Sequence, residues 1–146
     1  MTSRLLRLRE PARGRTAFTG WLRTQPATGH AVYVGLYGTA HPPGEVGPCV
    51  RVVFPLPRGS STVLLRPSAG ADGSVQLSSD GRGFGCAGYY RIHESRDGVR
   101  RARYVLALKE HFRLRAAPGG AVHADHRVSF FRAPILALHY MLERQA

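Results

Sequence analysis

The sequence predicts an all-β protein, a single antiparallel sheet of about eight or nine strands that closes into a barrel. Apolar and polar residues alternate with a period of two along most of the chain, as on strands with one buried face. Turn-forming residues recur roughly every 8–15 residues. The 17 glycines and 10 prolines are more than a helical bundle tolerates. A sheet this long twists and usually closes on itself, so lipocalin-like closure is favoured over a sandwich.

The first half of the chain alternates between strand-forming and turn-forming segments. Its predicted strands are residues 15–24, 31–37, 49–56, 61–66 and 74–79. The second of these also fits a short buried helix. The third contains Pro55, which indicates an edge strand or a bend. The last two flank Ala-Gly-Ala-Asp-Gly, in which glycine supplies the positive φ that a hairpin connection requires.

The second half repeats this organisation. Its predicted strands are residues 85–94, 99–115 and 122–131, separated by turns at 95–98 and 117–120. The end of the second strand alternates with Phe112 and Leu114 on one face and Lys109, His111, Arg113 and Arg115 on the other. Pro134 is expected to end the third strand. Residues 135–142 fit either a last strand or a short terminal helix, and we expect a strand.

The chain is strongly basic. It has twenty arginines and one lysine against nine acidic residues, for a net charge of +12, and most of the excess lies in residues 1–28 and 81–117. Residues 1–14 are expected to form a basic segment ahead of one barrel domain at 15–146. Such charge suits nucleic acid, an anionic ligand or an acidic protein. The preference for arginine also fits a coding bias, in which case the charge has no specific partner.

The sequence predicts a cytoplasmic protein with no membrane span. No run of about 18 apolar residues is present, and arginines interrupt the leucines near the amino terminus, unlike a secretory signal. Cys49 and Cys86 are expected to be free thiols in a reducing compartment. Their spacing gives no zinc motif, and no metal or cofactor is predicted.

The strongest candidate for chemistry is the segment His123-Ala-Asp125-His126-Arg127. On a strand, His123, Asp125 and Arg127 share one face and His126 points the other way. If the first face is inside the barrel, Asp125 would orient or ionise His123 as an acid–base pair. If the second face is inside, His126 would stand among apolar residues. The alternative is an exposed segment without a chemical role.

Other candidates are a tyrosine, a histidine and several aromatic residues on predicted strands. Tyr90 and His93 are further catalytic candidates, because a tyrosine, a histidine and a carboxylate gathered inside a barrel would serve proton transfer. The residues expected to contact a ligand are Trp21, Tyr33, Tyr89, Tyr104, Phe130, His139 and Tyr140. The glycine-rich segment 80–88 precedes a strand rather than a helix, so a turn and a bulge are expected there, not a phosphate loop.

These features predict a β-barrel that binds a small molecule in its interior. One version is a cofactor-independent cyclase or isomerase for a largely apolar substrate bearing a carbonyl or carboxylate, in which positioning lowers much of the barrier. Another is a carrier without chemistry. The alternative, less favoured, is an accessory protein that binds nucleic acid or an acidic protein partner through the Arg-rich strands. The sequence leaves the oligomeric state open.

Overall fold

The computed structural model describes residues 2–9 and 16–143 and confirms the all-β class. Within these residues there are eleven strands and one short 3₁₀ turn, Pro118–Gly120. The strands are β1 Thr2–Arg9, β2 Thr16–Thr24, β3 Ala31–Ala40, β4 Cys49–Leu56, β5 Gly59–Ala69, β6 Val75–Ser78, β7 Gly88–Glu94, β8 Arg100–Tyr104, β9 Leu108–Ala116, β10 Val122–Phe130 and β11 Ala133–Leu142.

All the strands belong to one antiparallel sheet that forks at β5. The main path runs β1-β2-β3-β4-β5-β6-β9-β10-β11, and β7 and β8 form a side branch. The branch arises because β5 is long: residues 59–64 pair with β7, whereas residues 66–69 pair with β6. The sheet curls into a half-barrel, and its closure is open rather than complete. Within the described residues the terminal strands β1 and β11 do not pair with each other.

The strand registers place one row of mainly apolar side chains on the inner face of the half-barrel. The buried centre of this face is Val52, Val63 and Leu65, from the central strands β4 and β5. Partly buried residues of neighbouring strands pack around it: Tyr37, Val50, Phe54, Leu77, Tyr89 and Phe112. These positions lie two apart along each strand, as the alternation predicts.

A second, smaller packed region lies on the outer side of β7. Tyr90 packs edge-on against Phe84 and Tyr104, with ring centres 5.5 and 5.2 Å apart. The Tyr90 hydroxyl donates to the carbonyl of Cys86 and accepts from the backbone N–H of Gly85. The loop after β6 therefore covers this side of the sheet instead of binding a phosphate at a helix terminus.

Several local predictions need adjustment. Residues 2–9, expected as a segment ahead of the barrel, form β1 and pair with β2. The predicted strand 99–115 is divided into β8 and β9. The segment 31–37, for which a short helix was the alternative, is a strand, and the strand expected at 135–142 is confirmed. Pro134 does not break the chain: it lies in β11, an outermost strand, opposite a bulge after Val128, where a missing N–H is tolerated.

The remaining predictions concern thiols and membranes. Cys49 and Cys86 are free thiols, the first of them buried. Residues 10–15, including Arg15 at the start of the first predicted strand, lie outside the described residues. No helix of the described residues has the length and apolar character needed to cross a membrane.

Candidate functional site

The inner face of the half-barrel encloses a cavity of about 620 Å³. This volume is within the range typical of small-molecule sites. The lining is largely apolar and aromatic and comes from eight strands: Trp21, Arg23, Tyr33, Tyr37, Val50, Val52, Phe54, Leu65, Leu77, Glu110, Phe112, Leu114, Leu136, Leu138, His126, His139 and Tyr140. The few polar groups among them are candidates for contacts that orient a ligand.

A buried carboxylate, Glu110, is the centre of the polar groups in the cavity. It lies on β9 and is only 6% exposed. The Tyr89 hydroxyl donates to its Oε2 atom over 2.7 Å. The backbone of Glu110 is held by Ser79: the Glu110 N–H donates to the Ser79 hydroxyl over 2.7 Å, and the Ser79 N–H donates to the Glu110 carbonyl over 3.0 Å. A buried carboxylate is costly unless it has such partners, so this arrangement fixes its position.

The second carboxylate oxygen faces His126. Nε2 of His126 lies 2.5 Å from Oε1 of Glu110, although the N–H is not aligned with this oxygen for a hydrogen bond. The imidazole stacks on Phe112, with ring centres 4.0 Å apart and planes 13° apart. This stacking follows from the register, which sets His126 directly opposite Phe112. With Nε2 facing Glu110, Nδ1 is the ring nitrogen that does not contact the carboxylate.

Two tyrosine hydroxyls on β3 form a second polar group. The hydroxyls of Tyr33 and Tyr37 are 2.6 Å apart. The residue between them on the same face is Gly35, and a Cβ there would lie 2.8 Å from the Tyr33 hydroxyl. The glycine therefore leaves the space that Tyr33 occupies. Burial raises the pKa of Tyr33, Tyr37 and Tyr89, so all three remain protonated donors near neutral pH.

The predicted pairing of Asp125 with a catalytic histidine inside the barrel does not form. Asp125 is on the outer face of β10, where Oδ2 contacts Arg115 and Oδ1 contacts Nδ1 of His139, each over 2.6 Å. His123 is also on the outer face and exposed. The structure brings His126 into the cavity, as one of the two alternatives expected. Its carboxylate partner is Glu110, because Asp125 points away by the strict alternation of the strand.

The predicted ligand contacts divide into two groups. Trp21, Tyr33 and Tyr140 line the cavity, and Tyr89 reaches it through Glu110. His139 lies at its rim: its side chain is 69% exposed and contacts Asp125.

The other predicted residues lie elsewhere. Tyr90 and Tyr104 pack beneath the loop on the outer side of β7 and β8, where Tyr104 is hydrogen-bonded to the Gly81 carbonyl. His93 is exposed at the end of β7. Phe130 is 46% exposed and packs against Phe131 outside the cavity lining. None of these four contributes to the lining: Tyr90, His93 and Tyr104 belong to the side branch of β7 and β8, and Phe130 is the last residue of β10.

The sequence prediction missed Glu110, Tyr37 and Arg23. A signal for Glu110 exists: it shares a face with Phe112 and Leu114 in the alternation of β9, and a charged residue on an apolar face needs a partner. Tyr37 likewise shares a face with Tyr33. Among the described residues, no group of three or more His, Cys, Asp or Glu side chains is placed to hold a metal ion.

Fold and site together define an antiparallel β half-barrel with a largely apolar cavity, in which a buried glutamate contacts a partly buried histidine. No protein-family model matches the sequence, and no curated protein or solved structure matches the chain.

Proposed function

We propose that the protein binds a small, largely apolar carbonyl compound in the cavity and isomerises or cyclises it by proton transfer. The observation that carries this proposal is the contact between His126 and the buried Glu110 inside a largely apolar lining. An acid–base pair in such surroundings is strengthened by the exclusion of water, and a proton donor or acceptor near neutral pH suits an imidazole.

In the proposed reaction one proton moves between the substrate and His126. Glu110 holds the Nε2–H side of His126, and Nδ1 takes a proton from the carbon next to the substrate carbonyl. The electron pair of the broken C–H bond moves to the carbonyl oxygen as an enolate. In an isomerisation the imidazolium returns the proton to a different carbon. In a cyclisation the enolate carbon attacks a second carbonyl carbon of the same molecule, the π electrons of that C=O bond move to its oxygen, and the imidazolium gives this oxygen the proton.

The tyrosine pair on β3 is suited to the negative charge that develops on the substrate oxygen. Tyr33 and Tyr37 stay protonated, because burial raises the pKa of both hydroxyls. A preorganised O–H donor near a developing enolate is a large contribution to catalysis. The aromatic walls would hold the substrate close to its reactive geometry, which supplies much of the remaining barrier reduction.

The proposal is tested with a neutral aromatic ketone as probe. We expect the protein to accelerate the exchange of the α-protons of 2-tetralone in D₂O, followed by proton NMR. Glu110→Gln and His126→Asn should each slow this exchange by about 100-fold, the range of a lost general base. His123→Asn is the matched control, since this histidine lies on the same strand but faces outward, and it should exchange at the wild-type rate.

Two results would count against the proposal. Exchange that is unchanged in both Glu110→Gln and His126→Asn would remove this pair from the chemistry. Binding of the ketone without any acceleration of exchange would favour the carrier version. Binding is followed through the fluorescence of Trp21, the single tryptophan of the chain, which lines the cavity. Circular dichroism of each variant shows whether a loss reflects unfolding.

A further inference from the structure

Arg23 is a cation held in a fixed plane at the wall of the cavity. It lies on the inner face of β2, opposite Tyr33 of β3. Its Cζ atom is 4.4 Å from the centre of the Trp21 ring and 5.9 Å from that of Tyr33. Packing of a guanidinium against two aromatic rings restricts its orientation and removes part of its hydration.

This cation lacks a counter-ion among the described residues. No described carboxylate is in ion-pair contact with it, and its Nε–H is buried without an acceptor. The carboxylate of the cavity, Glu110, is already contacted by Tyr89 and His126.

Other arginines of the same sheet do have acidic partners. The pairs are Arg66 with Glu45, Arg100 with Glu94, Arg113 with Asp72 and Arg115 with Asp125. A buried N–H without an acceptor is uncommon, because the folded protein does not replace the hydrogen bond that water made to it. Arg23 is therefore a donor in the cavity wall that a bound ligand would satisfy.

We propose that Arg23 binds a carboxylate of the ligand, so that the substrate is an apolar carbonyl compound with an acidic head group. This inference rests on the proposed function of the cavity and adds the class of substrate. The guanidinium edge matches a carboxylate in geometry and charge. The head group would lie at Arg23, the apolar body against the aromatic wall, and the reactive carbon at His126.

The test compares two probes that differ only in charge, decanoate and decanamide, at pH 7.5. Trp21 touches Arg23 and is the single tryptophan, so its fluorescence reports occupation of this part of the cavity. We expect the wild-type protein to bind decanoate at least about tenfold more tightly than decanamide, the effect of one charge-assisted pair. Arg23→Gln should bind both probes within roughly threefold of each other.

The chain offers a matched control in Arg51. Its Nε is also buried without an acceptor, and its Cζ lies 4.5 Å from the centre of the Phe18 ring. Arg51 is on the opposite face of β4 from Val50 and Val52, outside the cavity lining. Arg51→Gln removes the same charge from the molecule and should keep the preference for decanoate. It thereby separates a local contact from general attraction to a basic protein.

The outcomes separate this inference from the proposed function. Equal wild-type affinity for the two probes, or a preference for decanoate that persists in Arg23→Gln, would overturn the role of Arg23 and leave the cavity as a ligand site. Failure of both probes to bind would contradict the inference and the ligand site together. If Arg23→Gln does not fold, the wild-type comparison still decides the carboxylate preference. Arg23→Lys, which keeps the charge without the planar fork, then tests the residue and should retain only part of that preference.

Discussion

Glu110 illustrates how much of the site depends on one residue and its neighbours. The alternation of β9 sends Lys109 and His111 outward and Glu110 inward, where it is 6% exposed. Burial of a carboxylate is tolerated because Tyr89 donates to one oxygen and His126 faces the other. These partners come from β7 and β10, so long-range strand pairing assembles them. The alternation predicts the direction of Glu110, but no local pattern names its partners.

At the same scale, Asp125 is expected to contribute to stability in a pH-dependent way. A hydrogen bond with His139 and the charges of Arg115 and Arg127 hold the pKa of Asp125 below its usual range. Because this pKa is lower in the folded than in the unfolded chain, the contribution is present above the unfolded pKa. It is lost as the pH falls through the folded value. Asp125→Asn should therefore lower the urea midpoint at pH 6.

The comparison is made between wild type and Asp125→Asn over the acidic range. The other carboxyl groups titrate in both proteins, so the difference between their midpoints isolates Asp125. That difference should hold from pH 6 down to about pH 4, near the unfolded pKa of an aspartate, and should narrow as the pH falls from there towards 3. A difference that stays constant across this range would show that Asp125 stabilises the fold without its charge.

Among the elements, the loop between β6 and β7 shows why the glycine-rich segment carries its glycines. The Tyr104 hydroxyl of β8 lies within hydrogen-bonding distance of the Gly81 and Ala87 carbonyls, and Lys109 donates to the first of them. Gly88, at the start of β7, has φ +153°, and a Cβ there would lie 2.3 Å from the Tyr104 ring. The loop is therefore tied to β8 at positions where only glycine fits.

This geometry predicts the effect of two matched glycine substitutions in the loop. Gly88→Ala should destabilise the protein by about 2 kcal/mol or more, since the methyl group collides with Tyr104 and the backbone is strained. Gly83→Ala should change stability by no more than about 0.5 kcal/mol, because no atom lies within 4 Å of its Cβ position. Urea unfolding measures both. Equal stabilities would mean that the loop moves freely away from Tyr104.

The strands themselves could largely be predicted from local pattern. The bounds of β4 agree with the prediction at both ends, and β2, β3 and β10 are close to it. The division of 99–115 could not be foreseen, since β8 pairs with β7 on the side branch whereas β9 pairs with β6 and β10. The chain must cross from one branch to the other between them. This crossing is set by the fork at β5, which is a property of long-range register.

For the molecule as a whole, the curvature of the sheet decides which residues can act. The alternation of β10 predicts that His123 and Asp125 lie on one face and His126 on the other. Which of the two faces lines the cavity depends on how the entire sheet curls. Trp21, Tyr33 and Tyr140 come from distant strands and meet at the cavity for this reason. The fork at β5, in contrast, keeps Tyr90, Tyr104 and His93 away from the cavity. A site built across eight strands is thus only partly predictable from a single sequence.

The net charge of +12 is also a property of the whole molecule. It bears on the predicted alternative function, the binding of nucleic acid or an acidic protein partner. The arginines of β8 are exposed, and one of them, Arg100, is paired with Glu94. The aromatic residue of this strand, Tyr104, is hydrogen-bonded beneath the loop and does not offer a free ring for base stacking. We therefore expect any oligonucleotide binding to be independent of sequence and to weaken steeply with salt.

The measurement is fluorescence anisotropy of a labelled single-stranded oligonucleotide between about 50 and 300 mM salt. Neutralising Arg100, Arg101 and Arg103 together should reduce the slope of log affinity against log salt by about 2, because each lost phosphate contact contributes about 0.7 for a single strand. The same triple variant should bind decanoate as the wild type does, since these side chains lie outside the cavity lining. Sequence-selective binding that persists at the highest salt would instead favour a nucleic-acid-binding function, because counterion release alone cannot distinguish one base from another.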